Sequence, residues 1–283
     1  MSEVLNVHDH DRASAGLTYV YPVISRRAGG VSVGVNLNPN NACNWRCVYC
    51  QVPDLKRGSA PAVDLEKLAG ELRGFLRELL HGDFMERRVP AEARRLNDIA
   101  LSGNGEPTSA PEFDRVVALI GTIMAEFGLI GKVRLVLITN GSLIQRPQVQ
   151  AGLRQMAGLG GEVWFKLDSA TPGGMLRIND SRRPVRKAQD NLRTAASLCP
   201  TWLQTCAFAC DGQPPTKAER EAYLALIGRL REEKVPLCGV LLYGLARPSM
   251  QAEAARLAAL PQSWMADFAA SVEAQGFAVK LSA

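Results

Sequence analysis

No run of eighteen apolar residues occurs anywhere in the chain, which excludes a membrane-spanning helix. The first twelve residues, MSEVLNVHDHDR, are polar and charged where a secretory signal would be apolar, so the expected compartment is the cytoplasm. Histidine is scarce: His8, His10 and His81 sit in polar or terminal settings, and none is assigned a role. The seven cysteines are an odd number that cannot pair fully, and nothing suggests export, which argues against a disulfide framework. Long blocks of one charge are also missing. Arg87-Arg88, Arg94-Arg95 and Arg182-Arg183 are scattered pairs that read as solvated faces. A net charge of +5 permits a nucleic-acid partner without demanding one. What is present is apolar: 47% of 283 residues supports a full core in one large barrel-like domain or two small ones, and excludes a disordered class.

Against that background the segment CNWRCVYC stands out, because Cys43, Cys47 and Cys50 form a C-x3-C-x2-C array within eight residues. Three thiols so close are costly unless something soft binds them, and a metal loop is the leading reading. A structural zinc ion normally takes four ligands in CxxC-type pairs, yet the nearest other cysteine is Cys199. An iron–sulfur cube suits the loop better: three thiolates would hold three irons and leave the fourth open to a small ligand.

The rest of the chain alternates strands and helices. Strand candidates are residues 31 to 37, 97 to 101, 133 to 138, 162 to 168, 202 to 208 and 237 to 242, apolar or β-branched and short. Helical spacing recurs over 64 to 79, 112 to 127, 145 to 158, 184 to 198 and 216 to 233. Asp64 is an expected N-cap, Ser109 and Glu112 form the S-x-x-E of a capping box, Pro147 sits in a first turn, and Thr216 precedes AERE. Six βα units predict an α/β fold with parallel strands, and periodicity alone leaves a barrel and a doubly wound sheet both open. Residues 1 to 30 read as an N-terminal extension or lid, 31 to 245 as the βα domain, and 246 to 283 as a C-terminal segment. That segment is helical over 249 to 276 and has a last strand at 277 to 281.

Functional residues on parallel α/β folds gather where strands end, so the loops that follow the strands are where chemistry is expected. SGNGEPT follows the second strand: Gly103 and Gly105 let the backbone approach a ligand, and Glu106 offers a carboxylate able to accept from an ammonium group. LITNGS follows the third, with Thr139 and Asn140 as hydrogen-bonding side chains. KLDSATP ends the fourth, with Lys166 and Asp168 on one face of the strand, either paired with each other or turned to the crevice. Tyr243, Gly244, Arg247 and Pro248 follow the sixth, where Arg247 could bind a phosphate or carboxylate or form a surface ion pair.

Taken together, CNWRCVYCQ, SGNGEPT, LITNGS and KLDSATP resemble the radical S-adenosylmethionine (SAM) superfamily, and within it the branch of tRNA-wyosine-synthesising enzymes. The resemblance covers about residues 31 to 245. It implies a partial (β/α)6 TIM-like barrel whose open side the C-terminal helix closes. It also implies a [4Fe–4S] cluster on Cys43, Cys47 and Cys50, with Tyr49 as the aromatic residue before the last cysteine. In that family the open iron chelates SAM, and an electron from the cluster breaks a carbon–sulfur bond to give a 5′-deoxyadenosyl radical that abstracts a substrate hydrogen. The Gly103 to Glu106 stretch corresponds to the Gly-Gly-Glu motif that binds SAM's amino group, with Asn104 replacing the second glycine. Lys166 would then bind SAM's carboxylate and Asp168 a ribose hydroxyl or the substrate. An electron donor such as flavodoxin or ferredoxin is implied as partner.

Cys199, Cys206, Cys210 and Cys238 remain. They read as small buried hydrophobes, with an auxiliary cluster as the alternative, and Cys206 or Cys210 as a candidate hydrogen-atom donor. The rival functions are a glycyl-radical-activating enzyme, a tRNA-modifying enzyme, and a non-catalytic protein whose cysteines hold zinc.

Overall fold

A computed structural model describes residues 4 to 5, 15 to 25 and 29 to 282. Eight strands form one sheet: β1 (Val20–Ser25), β2 (Gly30–Val35), β3 (Leu96–Leu101), β4 (Arg134–Thr139), β5 (Glu162–Lys166), β6 (Thr201–Cys206), β7 (Leu237–Tyr243) and β8 (Val279–Ser282). They stand side by side in chain order. β1 pairs antiparallel with β2, and every later pairing is parallel.

Among the described residues eight α-helices connect or flank them: α1 (Leu65–His81), α2 (Phe84–Arg88), α3 (Phe113–Glu126), α4 (Pro147–Gly158), α5 (Pro172–Asn179), α6 (Val185–Leu198), α7 (Lys217–Glu232) and α8 (Gln262–Glu273). Successive helices pack on one another, α1 on α3, α3 on α4, α4 on α6 and α7 on α8. A doubly wound sheet reverses its strand order at a switch point, whereas this sheet never reverses. The protein is therefore a partial TIM-like barrel, a curled sheet whose two edge strands, β1 and β8, do not meet.

Period-two alternation builds both faces. Val31, Val33, Val35, Ile99, Leu101, Leu135, Leu137, Val163, Phe165, Leu203, Val240 and Leu242 are fully buried in one apolar core with the helices. The alternate positions, among them Lys166, Gln204 and Cys206, look into the curl and leave it polar enough to hold a ligand.

Local signals worked where they were self-contained. The Asp64 carboxylate accepts from Lys67 N at the start of α1, and Thr216 and Glu219 complete a reciprocal capping box on α7. The box expected from Ser109 and Glu112 does not form. Ser109 Oγ donates to Glu106 O and accepts from Ala60 N, while Glu112 accepts from Val63 N, so tertiary partners outbid the helix end. Residues 249 to 276 are helical only over α8, with a 3-10 turn at Ala254–Arg256 and a short strand at Leu257–Ala258 before it. α8 packs on α7 and β8, and β8 extends the sheet beyond β7. The terminal segment thus covers the β7 edge of the partial barrel with β8 and α8. Three of these elements had no sequence expectation: β1, which lies in the presumed extension, the five-residue α2, and α5, whose opening Pro172-Gly173-Gly174 masks a helix that Thr171 caps.

Candidate active site

The loop after β2 carries the three clustered cysteines, and its shape comes from side-chain amides. Asn38 Nδ2 donates to Ala42 O at 2.8 Å, and Asn36 Oδ1 accepts from both Asn38 N and Asn104 N at 3.0 Å. Ala42–Cys43 then pairs with Lys56–Arg57, and Cys50 N closes a turn onto Cys47 O at 2.9 Å. The loop of β3 presses against it so closely that a Cβ on Gly105 would lie 2.1 Å from Ala42 O. That contact accounts for a glycine at 105 independently of any ligand.

A cavity of about 250 Å³ opens between this loop and the strand ends. Cys43, Cys47, Tyr49, Cys50, Gly103, Asn104, Gly105, Glu106, Asn140, Lys166, Cys206, Tyr243 and Arg247 all line it. Of the expected site residues, Thr139, Asp168 and Cys210 do not. Thr139 lies behind Glu106; Asp168 and Cys210 border a neighbouring cavity of about 210 Å³. Three buried polar atoms of residues that line the first cavity have no hydrogen-bond partner among the described residues: Trp45 Nε1, Asn104 Oδ1 and Gln204 Oε1. Gln204 is only 1% exposed. Buried polar atoms are rarely left unpaired, so each calls for a partner beyond the protein's own groups.

Glu106 is held from all sides. Its Oε1 accepts from Thr108 Oγ1 and Thr139 Oγ1, both at 2.6 Å, and from Thr108 N at 3.2 Å; its Oε2 accepts from Asn140 N at 2.7 Å. Burial pushes this carboxyl above its ordinary value, against the pull of those donors. The carboxylate thus bolts the β3 loop to the β4 loop, and only its Oε2 side retains acceptor capacity. Asn140 reaches on through Nδ2 to Asn44 Oδ1 at 2.8 Å, which ties the cysteine loop to β4. Gly141, at φ 68°, makes that turn possible, and a Cβ there would strike the Phe165 ring at 2.1 Å.

Lys166 and Asp168 meet through Tyr49. The Lys166 ammonium lies 4.9 Å from the centre of the Tyr49 ring, and the Tyr49 hydroxyl donates to Asp168 Oδ2 at 2.5 Å. Asp168 also accepts from Cys206 N at 2.9 Å and Asn179 Nδ2 at 2.8 Å. Burial works to lower the pKa of Lys166, but Tyr243, Cys47 and Asp168 hold it above its ordinary value, so the group is a cation. Burial likewise pushes the Cys43 thiol up to about 12 and the Cys47 thiol up to about 11.

The spare cysteines divide between opposite ends of the barrel. Cys199 precedes β6 and neighbours Cys238, at the start of β7, whereas Cys206 ends β6 and Cys210 follows it. At about 3.3 Å per residue β6 separates the two groups by roughly 20 Å. The four do not converge on one centre.

Residues absent from the sequence reading complete the site: Asn44, Asn179, Gln204, and the segment from Ser249 to Glu253. That segment straps the cysteine loop. Ser249 Oγ donates to Val48 O at 2.6 Å, Met250 N to Cys50 O at 2.9 Å and Gln251 Nε2 to Val52 O at 3.0 Å. Arg46 makes a two-pronged ion pair with Glu253 at 2.6 and 2.8 Å. Only Gln204, a polar residue at a lumen-facing position of a strand, had a readable signal; the others are ordinary loop or helix-end residues.

Among the described residues no helix is long and apolar enough to cross a membrane. A UPF0026 protein from Helicobacter pylori is 28% identical over 137 residues, 47% of this chain. The chain matches 38% of that relative's length, well short of the whole protein. The fold is similar to a structure of TYW1 with a lysine-pyruvate adduct bound (TM-score 0.54, 15% identity, covering 89% of this chain and 74% of that one). It is also similar to a radical SAM methyltransferase from Sphaerobacter thermophilus (TM-score 0.57, 14% identity, covering 93% and 68%). The family model for the Radical SAM superfamily matches residues 37 to 227, from the residue that opens the cysteine loop to the middle of α7. The chain belongs to the radical SAM superfamily, whose enzymes use a [4Fe–4S] cluster and S-adenosylmethionine.

Proposed function

We propose that Cys43, Cys47 and Cys50 hold the cluster at the mouth of the 250 Å³ cavity, that SAM lies in the cavity, and that the protein directs hydrogen abstraction from a substrate in the barrel. When bound, the cluster supplies the electron that cleaves SAM's carbon–sulfur bond and so starts the radical reaction. The observation that carries this reading is that the three cysteines line one cavity together with Trp45, Asn104 and Gln204, each of which has a buried polar atom without a partner. The donor set also fits. Thiols held neutral by burial become good ligands once a metal cation replaces their protons. Among the described residues no three of His, Cys, Asp and Glu converge as ligands of a single ion.

The protein's own groups then divide the work. Asn104, whose Oδ1 lacks a partner, and Glu106, whose Oε2 retains acceptor capacity, are the cavity-lining acceptors offered to donors on SAM such as its amino group. Lys166 supplies the positive charge for its carboxylate, fixed in place by the Tyr49 ring. Asp168 acts from behind, orienting Tyr49, so the ribose or substrate contact expected of it passes to the cavity-lining residues. Cys206, 3% exposed and lining the cavity, is the better placed of the two candidate hydrogen-atom donors. An external electron donor of the flavodoxin or ferredoxin kind approaches the loop, where exposed Lys56, paired strand to strand with Ala42, complements an acidic partner.

Anaerobic reconstitution tests the assignment. Wild type is expected to bind iron with equal sulfide and, with reductant, to release 5′-deoxyadenosine from SAM; Cys47→Ala is expected to release none. A fully loaded wild type that leaves SAM intact with candidate substrates would sink the catalytic reading, and zinc without sulfide would sink the cluster itself. Cluster remaining in the Cys43/Cys47/Cys50 triple alanine variant would reveal a second site.

A further inference from the structure

Asn179 is 1% exposed, sits at the end of α5, and points its amide at the cysteine loop. Its Nδ2 lies 3.3 Å from Cys47 Sγ and 2.8 Å from Asp168 Oδ2. An Asp carboxylate only accepts, so the amide edge facing it must be the NH2 group, whose two hydrogens serve the two partners. The backbone fixes this aim. Arg46 N donates to Asn179 O at 3.2 Å and Val48 N to Ile178 O at 2.8 Å, and Asp180 ends the helix in the left-handed region at φ 49°. Cys47 is thus gripped on both sides by the turn that presents Asn179. Asp168 anchors Tyr49 in turn, so a single amide reaches one of the three clustered cysteines directly and its aromatic neighbour through one carboxylate.

Hydrogen bonds to cluster sulfurs are among the few means by which a protein sets an iron–sulfur potential, because they stabilise the electron-rich reduced state. We infer that Asn179 is a positioning residue that tunes the cluster: its N–H to the Cys47 thiolate raises the reduction potential into the range a cellular donor reaches. This rests on Cys47 being a cluster ligand. It concerns Asn179 itself, a residue the sequence reading left without a role.

The test compares anaerobically reconstituted full-length wild type, Asn179→Ala and Asn179→Asp by iron and sulfide content and by an EPR-monitored redox titration without SAM. EPR reads only loaded protein, so partial occupancy does not confound the potential. The expected result is a more negative midpoint in Asn179→Ala and a further negative shift in Asn179→Asp, which keeps the size of the side chain but sets a carboxylate against the sulfur. Unchanged midpoints in the loaded variants would overturn the inference. So would two folded variants that load no cluster, because the residue would then build the loop and not tune it. A wild type that binds no iron fails the cluster assignment instead, which keeps the two failures distinct.

Discussion

Four donors converge on Glu106, two of them threonine hydroxyls that can turn and two of them backbone amides that cannot. In Glu106→Gln either orientation of the amide turns an N–H toward Thr108 N or Asn140 N, at a cost of roughly 1–3 kcal/mol. The pH dependence has a defined sign. Burial raises the folded carboxyl above its ordinary value of 4.5, so the folded protein holds that proton more tightly than the unfolded chain. The stability this contributes is complete below 4.5 and is lost as pH rises through the folded value. The urea midpoint of wild type should therefore fall, relative to Glu106→Gln, as pH is raised from about 4; a gap that widens with pH would mean that the donors outweigh burial. That a carboxylate stood before Pro107 was plain from the sequence. Its partners Thr139 and Asn140 were readable as polar loop residues, but their contact with Glu106 was not, because it joins positions 33 and 34 residues away across two strand ends.

At the scale of elements, the strap from Ser249 to Glu253 replaces the helix that its sequence favours. Met250, Gln251 and Glu253 find partners on the cysteine loop, and those hydrogen bonds divert the backbone until Gln262 starts α8. Helix propensity is a weak prior that such contacts override. The double variant Gln251→Ala/Glu253→Ala should lose iron faster to a chelator than wild type. Its melting temperature should stay close to wild type, since the Arg46–Glu253 pair is 35% and 21% exposed and such pairs contribute about 0–1 kcal/mol. Equal chelation rates would show that the strap does not secure the loop. Helices whose ends are self-contained, such as α1 behind Asp64 and α7 behind Thr216, were legible to within a few residues. α5 was not, because Gly173 and Gly174 depress helix propensity.

For the whole molecule, an open curl leaves two sheet edges, and the C-terminal one depends on a short strand. β8 pairs with β7 over four positions and follows Phe277, which is 6% exposed. Removing residues 277 to 283 deletes that buried ring, at roughly 3–5 kcal/mol by analogy with Phe→Ala changes, and bares the edge of β7. The expected outcome is a lower urea midpoint together with increased light scattering on warming; an unchanged midpoint would show that β8 is dispensable. The sequence by itself determined the element types and the cysteine loop, because periodicity, caps and ligand spacing are properties of neighbouring residues. Tertiary structure alone decided the rest. Strand order without reversal chose barrel over doubly wound sheet, and curling that sheet brought Glu106 to Asn140, Asn179 to Cys47 and Gln204 into the lumen. Those contacts span from 34 to 132 residues of chain, and no local pattern encodes which distant loops will share one end of a barrel.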